Sequence, residues 1–133
     1  MSVRSRSREL VLQLLFQEEF QSEVSLEQSL QLHKDSFESE PVEWDYAHKL
    51  LFGIQKTKEE LDAKITDSSQ HWKLNRMAIV DRNILRIASF EMGYLDLAKN
   101  IAINEAIELA KKYANPESTS FINGILDNIA KKS

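Results

Sequence analysis

Arg4, Arg6 and Arg8 stand at alternate positions near the start of the chain with no acid among them. Guanidinium groups clustered in this way suit the oxygens of a phosphodiester backbone, because each is permanently charged and offers a planar fork of donors. A few residues on, Glu9, Gln13 and Gln17 are interleaved with Phe16 and Phe20. Rings supply stacking surfaces, amides supply partners for base edges and arginines supply phosphate contacts, which is the set that single-stranded RNA requires. Plainer readings stay open beside this one. The arginines also fit a solvated, frayed terminus, and the two phenylalanines also fit packing on a neighbouring helix, the reading adopted for Phe20.

Three further features ask for a partner. Gly124 falls mid-helix beside Asn123 and Asp127, with Phe121 at the edge of the apolar arc. Glycine there costs about 1 kcal/mol relative to alanine unless something approaches closely. A tight helix contact and an external ligand both meet that condition. Arg82 and Arg86 form a like-charge i, i+4 pair, unfavourable by about 0.2–0.5 kcal/mol on an isolated helix. Acids from another helix are expected to offset it, with Glu105 and Asp127 as the candidates; a bound anion is the alternative. Glu91 projects into an apolar arc, where a carboxylate must be paired or lose its charge.

No catalytic constellation emerges. His33, His48 and His71 are scattered and lack a second ligand at helical spacing, so no metal site is expected. Neither H-E-x-x-H nor G-x-S-x-G occurs, and no Gly-rich phosphate loop is found. Acid pairs such as Glu18-Glu19 and Glu59-Glu60 read as solvated charge. Cysteine is absent, which excludes a disulfide framework, a thiol nucleophile and Cys-based zinc. Trp44 and Trp72 read as core or hinge-packing residues rather than stacking platforms.

These residues need helices to position them. Only 3 glycines and 2 prolines punctuate 133 residues, too few for the turns of a sandwich or barrel. The net charge of −4 argues against a protein that coats nucleic acid. Its distribution is uneven, since residues 18–45 carry nine carboxylates against one lysine. A basic tip on an acidic body binds a polyanion locally. No apolar run is long enough to span a membrane and the N-terminus has no secretory h-region, so a cytoplasmic protein is expected.

The periodicity predicts an all-α domain over residues 1–133 with about seven helices. Helices are expected at about 5–20, 25–37, 43–66, 80–95, 101–113 and from the Asn115-Pro116-Glu117 start to about 130, with a helical turn near 77–79. Polar residues 67–75 divide an N-terminal group, about 1–68, from a C-terminal group, about 69–133. The two fuse side by side as subdomains of three to four helices, because the connector is too short for a free linker. The helix from Val80 is apolar almost all round and is expected at the centre.

Three ordered blocks then carry a resemblance. Asp81-Arg82-Asn83-Ile84-Leu85-Arg86-Ile87-Ala88 followed by Glu91, then Ile103-Asn104-Glu105-Ala106-Ile107-Glu108-Leu109-Ala110-Lys111, then Phe121-Ile122-Asn123-Gly124-Ile125-Leu126-Asp127, are similar to the NusB family. The Arg6-Ser7-Arg8-Glu9 start with Gln13, Leu15 and Phe16 agrees, so the resemblance spans nearly the whole chain. It implies two small helical bundles side by side and no enzymatic activity or cofactor. It also implies binding of boxA RNA together with NusE, in an RNA polymerase elongation complex with NusA and NusG that resists termination, notably on ribosomal RNA operons. By motif position, RNA contacts fall on Arg4, Arg6 and Arg8 and around Glu117, Phe121 and Asn123, while a surface including Asp81 meets NusE.

Ser5 and Ser7 make the arginine run sparser than in many members, which implies a shallower salt dependence. Ala98 stands where a proline often precedes the Ile-Asn-Glu block. A NusB-like domain also fronts a class of ribosomal-RNA cytosine methyltransferases, a reading that requires the chain to be a fragment. A homodimer formed through the RNA-binding face is the third reading.

Overall fold

The computed structural model describes residues 2–20, 28, 30, 31, 42–70 and 72–132. Among these are six α-helices and one 3-10 turn, and no strand. The helix expected at 25–37 falls largely outside the described residues, although Gln28, Leu30 and Gln31 are helical and Leu30 is buried. His33 and His71 fall outside them as well.

Helix α1, Val3–Glu18, is opened by Ser2, whose Oγ accepts from the Ser5 amide at 3.0 Å. It starts two residues before the expected position because this cap is upstream of the arginines. One side of α1, including Val11, Leu12, Leu14 and Leu15, is sunk into the core.

The single long helix expected at 43–66 is two helices, α2 (Trp44–Lys56) and α3 (Lys58–Ser68). Thr57 interrupts them with φ −109° and ψ 16°. Its Oγ1 and its amide both donate to the Gly53 carbonyl, at 2.7 and 3.0 Å. Such back-bonding by a β-branched residue bends a helix without unravelling it. Gly53 itself is dictated by packing: a Cβ there would lie 2.1 Å from the Phe90 ring.

After Gln70, which adopts a left-handed φ of 57°, a 3-10 turn forms at Leu74–Arg76, slightly earlier than the turn expected at 77–79. Helix α4, Ile79–Tyr94, packs against each of the other five helices, as its nearly all-round apolar pattern predicts. Asp96, at φ 52°, turns the chain, and the Leu97 amide closes the turn on the Glu91 carbonyl at 3.0 Å.

Helices α5 (Lys99–Tyr113) and α6 (Ser118–Lys132) complete the fold. α6 begins at Ser118, not at Pro116, because residues 115–118 first close a turn from the Ser118 amide to the Asn115 carbonyl, 2.9 Å. One hydrophobic cluster joins Leu14, Leu50, Leu61, Leu85, Leu109 and Leu126 across all six helices. Among the described residues no helix is long and apolar enough to cross a membrane.

Candidate nucleic-acid interface

The three arginines do not point one way. Positions four apart share a helix face, so Arg4 and Arg8 both turn toward Tyr46 on α2. Their guanidinium carbons lie 4.4 and 5.6 Å from its ring centre. Arg4 remains on the surface, where its Nε donates to Glu43 Oε2 at 3.0 Å. Arg6 turns to the other side and is half-buried.

Arg8 is only 3% exposed, which corrects its expected place among the phosphate ligands. Its Nε donates to Glu91 Oε2 at 2.7 Å and its Nη1 to Glu105 Oε1 at 2.8 Å. Tyr46 Oη donates to the same Glu91 oxygen, and Ser5 Oγ donates to Glu105 Oε1 at 2.5 Å. The sequence held the signal. Arg8 shares its face with Val11, Leu12 and Leu15, so α1 cannot seat its apolar side without carrying the guanidinium inward. Glu91 thereby gains the partner its position demands.

Burial acts on each member of this group. It pushes the Glu91 carboxyl above its ordinary range, and Arg8 and Tyr46 pull it back only in part. For Arg8, burial works to lower the pKa, but the charge and hydrogen bond of Glu91 prevail and hold the proton more firmly than usual. Tyr46 is pushed up to about 12, first by burial and then by its bond to Glu91.

Arg82 and Arg86 are offset by acids of other segments, but not by those expected. Arg82 Nη2 and Nε both donate to Glu19 Oε1, at 2.6 and 3.1 Å. Arg86 holds Asp62 of α3 with Nε and Nη2 at 2.8 and 3.1 Å. Asn83 bridges the two, donating to Glu19 Oε2 at 2.7 Å and accepting from Arg86 Nη1 at 2.9 Å. Glu105 is half-buried and serves Arg8 instead. Asp127, expected to be buried, lies on the outer face of α6 with its side chain 54% exposed and paired to Lys131 at 3.1 Å.

The opposite side of α1 is the exposed stripe. Gln13, Phe16 and Gln17 are open to solvent. Phe20 is 64% exposed, so it is not packed into a helix–helix contact among the described residues as expected; its ring lies 5.1 Å from that of Phe16. Lys112, at the end of α5, donates to Glu9 Oε1 at 2.6 Å, a bond that raises the pKa of its amine. This pair ties the stripe to the segment that leads through Tyr113 to Glu117 and α6. Two segments far apart in sequence are joined there, through a lysine that sequence reasoning did not single out.

A second surface opens at the start of α6. Trp72 is 55% exposed and meets Phe121 edge-on, with centroids 5.9 Å apart and planes at 81°. It is therefore not a hinge-packing residue, whereas Trp44 does pack against the core. Trp72, Arg76, Met77, Asp81, Glu117 and Phe121 line a groove of about 260 Å³. Trp72 and Arg76 were also missed, although an indole in a polar connector with Lys73 and Arg76 nearby was a readable signal. Glu117 and Asn123 are exposed and Phe121 is half-buried. A Cβ on Gly124 would meet nothing within 4 Å, so no described helix requires that glycine. It leaves a bare strip of α6 beside Phe121.

Among the described residues, no three His, Cys, Asp or Glu side chains are grouped to hold a metal. The described residues present a cationic, aromatic and amide-bearing surface on a helical frame, the chemistry of a binding protein rather than of a catalyst. Residues 5–131 match the model of the NusB family. The transcription antitermination protein NusB of Bdellovibrio bacteriovorus is 46% identical over 133 residues, covering 98% of this chain and 97% of its own. The structure of T. maritima NusB superimposes with a TM-score of 0.85 at 35% identity, covering 97% of this chain and 91% of that one. A chain from the crystal structure of antitermination factors NusB and NusE in complex with dsRNA has a TM-score of 0.82 at 26% identity, with 100% and 99% covered. The chain belongs to the NusB family.

Proposed function

We propose that this protein is a non-enzymatic RNA-binding antitermination factor. It recognises boxA-type RNA together with a NusE-type ribosomal protein and helps RNA polymerase, in company with NusA and NusG, to resist termination. The observation that carries the reading is the full-length likeness to a chain solved with NusE and dsRNA. The relatives matched are antitermination proteins, which favours this reading over that of a methyltransferase domain.

The RNA-contacting surface runs from Arg4 and Arg6 along Gln13 and Phe16, past Lys112, to Glu117, Phe121 and Asn123. Phosphates meet the arginines and Lys112, and unpaired bases stack on Phe16 and Phe121. Arg8 acts from inside by fixing how α1 presents its stripe. Asp81 lies on the partner-facing side of the Trp72 groove.

The test is binding of a labelled boxA-type RNA, with and without NusE, against a scrambled RNA at fixed salt. Selective binding that tightens with NusE is expected; no selectivity in either condition overturns the reading. Replacing Arg4 and Arg6 together with alanine is expected to weaken binding roughly tenfold and to reduce the salt slope by about 1.5, with thermal stability unchanged.

A further inference from the structure

We propose that Glu43 is an internal competitor for RNA: its carboxylate occupies Arg4 in the free protein, and a phosphate has to displace it before that arginine binds. The inference rests on the RNA-binding reading above and adds a residue that limits affinity at the same surface.

The contact is set up by the fold. Glu43 is the N-cap of α2, yet its side chain makes no capping bond to that helix. It reaches across to α1 instead, where Oε2 accepts from Arg4 Nε at 3.0 Å. Its backbone is fixed in place for this reach. The Glu43 amide donates to Ser7 Oγ at 2.9 Å, and the same hydroxyl lies 3.2 Å from the Glu43 carbonyl oxygen. Ser7 is fully buried, so the start of α2 is pinned to α1 close to Arg4. One turn further along α2, Tyr46 backs the arginine. Its ring centre lies 4.4 Å from the Arg4 guanidinium carbon, and its hydroxyl is held in turn by Glu91. The start of α2 therefore presents an acid and a ring to a single guanidinium.

Exposure decides what this arrangement does. The side chains of Arg4 and Glu43 are 52% and 43% exposed. An ion pair so open contributes little to folding, and an external anion can reach it. Phosphate oxygens engage a guanidinium fork in the way that a carboxylate does. Nε has one hydrogen, so phosphate and Glu43 compete for it. Once displaced, the carboxylate remains near the phosphate, and like charges repel. Both effects lower affinity for RNA. The Tyr46 ring acts differently, since it attracts the cation whichever anion holds it.

The test compares binding of labelled boxA-type and scrambled RNA by the full chain, Glu43→Gln, Arg4→Ala and the double variant, at two salt concentrations. Glu43→Gln is expected to bind boxA-type RNA about two- to fivefold more tightly at low salt. The gain should shrink at higher salt, where an exposed pair is screened. In the Arg4→Ala background the same substitution should change affinity by less than about twofold. Thermal unfolding checks each variant. Where Glu43→Gln lowers Tm, Glu43→Thr, a good helix cap, supplies the same comparison. Selective binding by the unaltered chain with no gain on removing the carboxylate overturns the competitor and leaves the antitermination reading standing. So does an equal gain in the absence of Arg4. No selective binding by the unaltered chain overturns both.

Discussion

Glu91 and Asp81 lie on the same helix and are buried to 1% and 7% exposure, yet their surroundings differ in kind. Glu91 is enclosed by Arg8 and Tyr46, which reach it from α1 and α2. Asp81 receives one hydroxyl bond, and its other oxygen is buried with no hydrogen-bond partner among the described residues. Both carboxylates pose the same desolvation problem. Where the fold answers it internally, the residue holds helices together; where the answer is incomplete, the residue contributes less to holding them.

The largest effect that tests this contrast is on stability. Glu91→Ala leaves Arg8 buried without its main partner and is expected to cost roughly 3–5 kcal/mol in urea unfolding. The joint replacement Arg8→Met with Glu91→Leu should recover most of that loss, since apolar side chains need no partner there. Asp81→Asn, by contrast, is expected to change stability by no more than about 1 kcal/mol, because the native state already leaves one oxygen unserved. If Asp81→Asn proves as damaging as Glu91→Ala, the distinction between the two sites fails.

A smaller effect should appear at alkaline pH. The phenol of Tyr46 is held up to about 12 against an ordinary value of 10.0. Below pH 10 both folded and unfolded chains keep the proton and the contribution is whole. Between pH 10 and about 12 the unfolded chain releases the proton while the folded chain retains it, so stability falls as pH rises. Tyr46→Phe should flatten that part of the stability–pH curve. An unchanged slope would detach Tyr46 from the Glu91 group.

The smallest effect concerns the bare strip of α6. A methyl group on Gly124 meets no atom within 4 Å, so Gly124→Ala should stabilise the fold by about 0.5–1 kcal/mol. It should also weaken RNA or NusE binding if the strip is an approach surface. A gain in stability with binding unchanged would leave the glycine without a functional reason.

Much of this was readable from particular residues. The apolar circumference of residues 80–95 placed α4 at the centre, and the intrusion of Glu91 into that arc required a buried counter-charge. The same face logic would have drawn Arg8 inward with Leu12 and Leu15. It was obscured by the regular spacing of the arginines, which suggested a common role. The partners of Arg82 and Arg86 were not readable. Glu19 stands just beyond α1 and Asp62 lies on α3, and only the packing of those segments on α4 brings either one within reach. The break at Thr57 was equally hidden, because an i−4 back-bond leaves the apolar period of residues 43–66 intact.

The sequence by itself determined the helical class and most helix positions, the centrality of α4, the aromatic and amide stripe of α1 and the family, since local periodicity and ordered motifs are properties of the chain alone. Tertiary structure decided which charge meets which. It buried Arg8, left Asp127 on the surface, exposed Trp72 and Phe20, and set Trp72 against Phe121. Those outcomes depend on distances between helices, and ionic and hydrogen-bonding energies are governed by distance and burial rather than by position along the chain.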